Sequence, residues 1–292
     1  MRPILLEPLR VDKLEVRIAD LPTALCGITI AQLTDLHYDG LRLAESLLEE
    51  AIAATNAGNP DIIFLTGDYI TDDPSPIHPL AQHLKNLQSP LGTYAVLGNH
   101  DHLYYPSSRA EITQALTQVG IKVLWNQIAY PFGPEMPVVG LADFWSREFK
   151  QAKAVMDQLD SAVPRIVLSH NPDSTIFLKQ WRVDLQLSGH THGGQITLPN
   201  GQPLPLFVSN LRQVVPPPLQ IFIPFLRECS NVVDHWEWAK GLHHIKTEHR
   251  ETNQVYINRG LGTYFPGRYD CPPEVSLIRL VNAEPEGHSS PQ

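Results

Sequence analysis

The sequence predicts an α/β fold with a largely parallel or mixed sheet core, as one domain of two facing sheets flanked by helices. Three observations predict it. Short runs rich in Val, Ile and Leu recur along the chain. Several are followed by a helical apolar pattern, the alternation that builds α/β layers. The chain is 292 residues long, ample for a sizeable core.

The predicted strands, in chain order, are 28–33, 62–66, 94–97, 138–141, 165–169, 185–188, 254–258 and 275–280. Their near-continuous apolar character fits strands buried on both faces. A helix is predicted over 43–56, where Leu43, Leu47, Leu48, Ala51 and Ala54 form one stripe and Gly58 with Pro60 ends it. A second, 108–119, opens on Ser108 with Glu111 three residues later, a capping-box pattern. Segments 146–159 and 173–181 are further helices. Residues 199–250 break the rhythm with many prolines, Pro216, Pro217 and Pro218 among them, and with Trp236 and Trp238. Residues 1–282 thus read as a single domain with a Pro/aromatic-rich excursion at 199–250, and 283–292 as a flexible tail.

Composition narrows the function. Lys plus Arg is 22 and Asp plus Glu is 31, a formal charge of −9, and the sequence pI is near 5.8. Such a chain has no global attraction for nucleic acid or anionic lipid. Hydrophobic residues at 42% against 18% charged exclude a disordered chain. Cys26, Cys229 and Cys271 are odd in number and widely spaced, which argues against a disulfide framework and for a reducing, cytoplasmic setting. The start lacks a signal-peptide core, and the apolar run at 219–226 is too short to span a bilayer.

The conspicuous polar residues sit at strand ends. Strand 28–33 runs into Thr34-Asp35-Leu36-His37 and 62–66 into Gly67-Asp68. Strand 94–97 runs into Gly98-Asn99-His100-Asp101, 165–169 into His170-Asn171-Pro172, and 185–188 into Gly189-His190-Thr191-His192-Gly193-Gly194. In open α/β sheets ligands bind outside the carboxyl ends of strands. Glycines before Asp68, Asn99 and His190 permit tight turns and close backbone approach. Carboxylate, imidazole and amide oxygen together suit Mn²⁺, Fe²⁺ or Zn²⁺ and argue against a thiolate site. Seven such residues, Asp35, His37, Asp68, Asn99, His170, His190 and His192, are too many for one tetrahedral ion. They suit two ions about 3.5 to 4 Å apart.

In this order the motifs D-x-H, G-D, G-N-H-D, S-H-N-P and G-H-T-H-G-G resemble the calcineurin-like metallophosphoesterase superfamily, from Asp35 to His192. The later stretch Asn258-Arg259-Gly260-Leu261-Gly262-Thr263, followed by Pro273-Glu274-Val275, resembles a bacterial branch of membrane-associated phosphoesterases and UDP-2,3-diacylglucosamine pyrophosphatases. The resemblance implies a four-layer αββα sandwich with two facing mixed sheets flanked by helices. It implies that Asp35, His37 and His192 bind one divalent ion, Asn99, His170 and His190 a second, and that Asp68 bridges them, Mn²⁺ being expected first and Fe or Zn as alternatives. A hydroxide shared by the two metals would attack phosphorus in line while His100 protonates the leaving oxygen. The protein would then be a phosphodiesterase or phosphatase. One departure stands out. Many members read G-D-x-x-D or G-D-x-x-N, and that last residue helps orient the catalytic histidine. Here it is Thr71, followed by Asp72 and Asp73. Either Asp72 takes over through a shifted loop, or Asp101 supports the site, or His100 is held less tightly.

Two alternatives accompany this reading. One is a lipid pyrophosphatase of the UDP-2,3-diacylglucosamine type, peripheral to the membrane through 204–226, where Leu206, Phe207 and the run 219–226 would line an apolar groove. The other is a non-catalytic scaffold of the same fold, against which the presence of all seven residues and His100 counts. Arg259 and Arg268 are either cations for a second phosphate or structural ion-pair partners. His102 and Tyr104 follow the catalytic loop closely enough to reach substrate. His78, His83, His102, His235, His249 and His288 have no motif context, and the adjacent pair His243-His244 suggests another metal site only weakly, since it has no carboxylate partners.

Overall fold

In the computed structural model, which describes residues 1–215, 232–247 and 253–283, twelve strands form two six-stranded mixed sheets. Numbered in chain order, the first sheet contains β1 (Arg10–Ile18), β2 (Thr29–Leu33), β3 (Ile62–Leu65), β4 (Thr93–Ala95), β5 (Lys122–Val123) and β12 (Glu274–Asn282). Its spatial order is β1-β12-β2-β3-β4-β5. The second contains β6 (Gln127–Ala129), β7 (Val138–Gly140), β8 (Ile166–Leu168), β9 (Leu185–Ser188), β10 (Gly241–Ile245) and β11 (Asn253–Ile257), ordered β10-β11-β9-β8-β7-β6. Strands β2 to β5 are mutually parallel, as are β7, β8, β9 and β11. All the motif-bearing strands therefore run parallel to their motif-bearing neighbours and deliver their carboxyl ends to one rim.

The layers follow from side-chain alternation. Along β3, Ile62 and Phe64 point between the sheets, where they meet Val138, Ile166, Leu168, Leu185 and Leu187 of the second sheet. Ile63 and Leu65 point outward onto α1 (Glu45–Ala57), α2 (Ile77–Leu84) and α3 (Ser108–Gln118). On the far side, Val139 and Val167 pack on α4 (Ala152–Met156) and α5 (Ser174–Leu178). Both faces of the central strands are apolar, which is why they read as continuous runs. Burying each such aliphatic side chain contributes about 1.5–3 kcal/mol.

Some elements differ from expectation. Strand β1 alternates charged and apolar residues, with Val16 and Ile18 buried and Arg10 and Asp12 outside the core, so it lacks the continuous apolar signature of a central strand. Strands β5 and β6 span only two and three residues. Helix α3 has Ser107 as its N-cap with no side-chain cap bond, so the capping box does not form; Glu111 is turned to His78 at 3.1 Å instead. Segment 146–159 is broken into a 3₁₀ turn, capped by the Ser146 hydroxyl on Phe149 N, followed by α4. The 199–250 segment is not irregular throughout: it contains α6 (Leu204–Val214), a 3₁₀ turn at Trp236–Trp238 and β10. The triplet Pro216–Pro218, the run 219–226 and residues beyond 283 lie outside the described residues.

Candidate metal centre

Five loops after β2, β3, β4, β8 and β9 meet at the common rim, tied backbone to backbone. Asp35 N donates to Gly67 O (2.9 Å), His37 N to Asp68 O (3.0 Å) and Gly189 N to His170 O (2.9 Å). Their turns are unusually tight. Asp35, His37, Asp68, His190 and His192 all have positive φ, between 44° and 71°. For non-glycine residues this region costs about 1–2 kcal/mol each and is visited mainly by Asn, Asp and His. The expected site residues are therefore also the residue types best able to make these turns.

The seven residues expected from the sequence are brought together, six of them buried and His192 partly so. Asp35 Oδ1 lies 3.5 Å from His192 Nε2, which lies 3.1 Å from His37 Nε2. Asp68 Oδ2 lies 3.5 Å from His37 Nε2 and 3.1 Å from His170 Nε2, and His170 Nε2 is 3.2 Å from His190 Nδ1. Asp35, His37 and His192 thus form one ligand cluster and Asp68, His170 and His190 another, with Asp68 in reach of both.

Three imidazoles are oriented from outside by carbonyls. His170 Nδ1 donates to Thr66 O (2.7 Å), His190 Nε2 to Val232 O (2.8 Å) and His192 Nδ1 to Gly262 O (3.0 Å). His37 Nδ1 meets the Tyr264 hydroxyl at 3.2 Å. A ring nitrogen that donates outward leaves a bare lone pair facing inward when the ring is neutral, the arrangement of a metal-ligating histidine. Two bare nitrogens 3.2 Å apart repel unless a cation or a shared proton lies between them. Asn99 Oδ1 is buried with no hydrogen-bond partner among the described residues, and Asn99 lines the cavity beside the clusters. The donor set fits two hard-to-borderline divalent ions.

Electrostatics agree with this reading. Burial holds His37 and His192 well below the ordinary histidine range and His190 at about 4, so all three are neutral. Burial also opposes charge on His170, but the Asp68 carboxylate outweighs it and raises the imidazole to about 10. His170 therefore carries the proton that a cation would replace.

His100 sits on the wall of a cavity of about 450 Å³ beside these clusters, and its ring meets His37 edge-on at 4.8 Å. Its backbone N–H donates to Asp68 Oδ1 (2.9 Å). Its Nδ1 is held by the backbone carbonyl of Thr71, while Asp72 Oδ1 lies 4.0 Å away on an exposed side chain. Asp101 turns elsewhere. Its buried carboxyl accepts from Gly98 N (2.8 Å), Asp68 N (2.8 Å) and Tyr69 N (2.9 Å), knitting two motif loops together. A backbone carbonyl has no residue signature, so sequence could not have named Thr71 O as the group that orients His100.

The two branch arginines are consumed internally. Arg268 is buried and donates to the carbonyls of Arg259, Gly260, Gly262 and Cys271. Arg259 pairs with Asp12 (2.9 Å) and Glu274 (3.2 Å). His102 pairs with Asp143 (2.9 Å) and does not line the cavity, whereas Tyr104 does. His78, His83 and His235 pair with surface glutamates, and His243 with the Lys240 carbonyl. Tyr264 and Trp145 were not anticipated. Tyr264 contacts His37 and lines the cavity, and Trp145 packs edge-on against His190 at 4.9 Å. Tyr264 directly follows the 258–263 stretch, which was the available signal.

The strand-end glycines are required by contact. A Cβ on Gly189 would lie 2.2 Å from Asp35 Oδ2 and 2.3 Å from Thr34 Oγ1, although its φ suits any residue. Gly189→Ala is therefore expected to displace the Asp35 carboxylate and to lower turnover by at least about 10²-fold, the scale of a 1 Å misplacement. Wild-type turnover and metal uptake in this variant would refute the close-packing account.

Residues 28–194 match the family of calcineurin-like phosphoesterases, more than half of the chain. The chain is 31% identical over 278 residues to the phosphodiesterase YaeI of Escherichia coli, covering 94% of this chain and 90% of that one. It is 28% identical over 323 residues to the UDP-2,3-diacylglucosamine pyrophosphatase LpxG of Chlamydia muridarum, covering 94% and 91%. It is 28% identical over 283 residues to the uncharacterized metallophosphoesterase YkuE of Bacillus subtilis, covering 94% and 87%. With five motif loops converging on one buried carboxylate and imidazole cluster, the chain belongs to the calcineurin-like phosphoesterase family and is a hydrolytic enzyme.

Proposed function

We propose that residues 1–282 form one binuclear metal-dependent phosphoesterase domain. Asp35, His37 and His192 would hold one divalent ion, Asn99, His170 and His190 a second, with Asp68 contributing to both and His100 as general acid. The observation that carries the reading is the pair of facing imidazole contacts, 3.1 and 3.2 Å, with Asp68 Oδ2 within reach of one ring of each. When bound, such ions lower the pKa of coordinated water from 15.7 toward about 7 and offset charge on phosphoryl oxygens. The protein's part is positional. The His100 backbone fixes one oxygen of Asp68, which leaves the other facing both clusters. The Thr71 carbonyl occupies Nδ1 of His100, so Nε2 is the nitrogen available to give a proton to the leaving oxygen. Mn²⁺ is the proposed metal, with Fe or Zn as alternatives, because the donors are nitrogen and oxygen and include no thiolate, a set that all three ions accept. Protein loaded with Mn²⁺ should bind about two ions per chain and hydrolyse bis-p-nitrophenyl phosphate. No metal uptake, together with inertness on a broad phosphoester panel, would favour the scaffold alternative.

A second reading, a lipid pyrophosphatase at a membrane surface, is favoured by the cavity's far wall. Ile196, Leu204, Val232, Trp236, Phe265 and Pro266 line it beside the polar clusters. On α6, Phe207 and Leu211 lie one turn apart and are 51% and 38% exposed. The similarity to LpxG points to the same class. Among the described residues no helix is long and apolar enough to cross a membrane, and the contact proposed is peripheral. On this reading, UDP-2,3-diacylglucosamine in detergent is cleaved far faster than a soluble diester. Phe207→Asp should raise its KM by about tenfold, one apolar anchor's worth, and leave the soluble diester unchanged. Equal rates on both substrates would remove lipid specificity.

A further inference from the structure

We propose that Asp39 is a positioning residue for His100, acting through the side chain and backbone of Thr71. The inference rests on the reading of His100 as proton donor and extends it to a carboxylate that no motif marks.

The geometry runs as a chain of contacts. Asp39 Oδ1 accepts from Leu41 N and Arg42 N, both 2.8 Å, which closes the turn after His37. Asp39 Oδ2 accepts from Thr71 Oγ1 at 3.0 Å and from the Arg42 guanidinium. Thr71 is 4% exposed, so its hydroxyl is fixed in place. The carbonyl of the same residue receives His100 Nδ1. Asp39 therefore clamps the peptide that orients the imidazole, 29 residues from His100 in sequence and on a different loop. Its second arm runs through Arg42, which stacks over the Tyr264 ring at 4.4 Å, to the Tyr264 hydroxyl on His37 Nδ1. One carboxylate thus branches toward the proposed acid and toward one proposed ligand.

The arrangement answers the departure at Thr71. A carboxylate there could bind the histidine directly. Here the Thr71 hydroxyl is turned to Asp39 and the Thr71 carbonyl binds the histidine, provided something fixes the peptide plane. Asp39 supplies that through the hydroxyl. With Nδ1–H held by a neutral carbonyl the ring keeps its aim, so Nε2 is the nitrogen that takes up and then gives the transferred proton, the ring being imidazolium when it acts as acid. Loss of outer hydrogen-bond partners of this kind costs about 10- to 100-fold in function.

Two substitutions separate the arms. Asp39→Asn keeps an oxygen for the Leu41 and Arg42 amides but replaces the acceptor facing Thr71 with an NH₂ group. Thr71→Val removes the hydroxyl, keeps the shape and leaves the carbonyl. Kinetics on methyl phenyl phosphate and methyl p-nitrophenyl phosphate compare a leaving group that needs protonation with one that hardly does. Both variants should lower kcat on the phenyl ester by about tenfold and on the p-nitrophenyl ester by about twofold, with KM within about twofold. Thr71→Ser should restore the phenyl rate. In a His100→Ala background Thr71→Val should add no loss, since the two would act through one group. Independently of activity, the His100 Nδ1 proton, followed by ¹⁵N-edited NMR, should exchange with solvent about tenfold faster in both variants. Equal losses on both esters, a Thr71→Ser variant as damaged as Thr71→Val, or unchanged Nδ1 exchange would each overturn the role of Asp39. Wild type inert on both esters, with faster exchange in the variants, would instead sink the reading of His100 as an acid and leave the positioning intact.

Discussion

Replacing His100 by alanine is expected to lower kcat on phosphodiesters by about 10²- to 10⁴-fold while two divalent ions per chain are retained. The two facing imidazole pairs do not include His100, and its Nδ1 is tied to the Thr71 carbonyl rather than turned inward. Losing its ring removes the proposed proton donor without opening either cluster. The loss should be greatest for poor leaving groups and smallest for p-nitrophenolate. Elemental analysis beside steady-state kinetics checks it. His100 also lies within ligand distance of His37 and Asp68. If His100→Ala loses an ion per chain, the residue is a ligand and the assignment as acid is wrong.

The second large effect is structural. Asp101 is fully buried and its carboxyl accepts from four backbone amides of two loops, three of them at 2.8 to 2.9 Å and Ile70 N at 3.5 Å. Asp101→Ala strands the three closer amides away from water, at about 1 kcal/mol or more each, so a loss of about 3 kcal/mol is expected. At roughly 2–4 °C per kcal/mol for a chain of this class, Tm should fall by about 6–12 °C. The loops released carry Asp68 and Asn99, so metal uptake should weaken in parallel. Asp101→Asn is expected to fare little better, because an NH₂ would face an amide N–H. Thermal unfolding followed by circular dichroism measures the first effect, and a Tm within about 2 °C of wild type would show that the loops hold without the carboxylate.

These outcomes bear on how much the sequence itself disclosed. The central strands were legible because burial on both faces writes itself as an unbroken apolar run, as in Ile62-Ile63-Phe64-Leu65. The edge strand β1 was not, because one of its faces is wet and its apolar residues alternate with charges. Strands β5 and β6 are too short for any periodicity to register. Helix α6 was hidden by a proline-rich context, although Pro205 falls in its first turn, where proline is tolerated. The capping box at 108 failed because its pattern is local, and a surface contact from His78 claimed the glutamate.

The candidate site was legible as an ordered set of residue types at strand ends, since the same short polar side chains that suit divalent ions also tolerate the left-handed turns found there. Sequence alone determined which residues could take part and at which end of the sheets they would gather. It could not determine what aims them. The Thr71 carbonyl on His100, the Val232 and Gly262 carbonyls behind His190 and His192, and the Tyr264 hydroxyl on His37 come from segments 29 to 227 residues away from the side chains they orient. It also left open whether Arg259 and Arg268 face substrate; their carbonyl and carboxylate partners are assembled only when the 258–274 segment folds against Asp12 of β1 and the His192 turn. The physical reason is common to all of these. A ligating or proton-transferring side chain is chosen by its chemistry, which one letter records, whereas its orientation is set by hydrogen bonds to backbone groups, which every residue possesses and only tertiary structure brings within 3 Å.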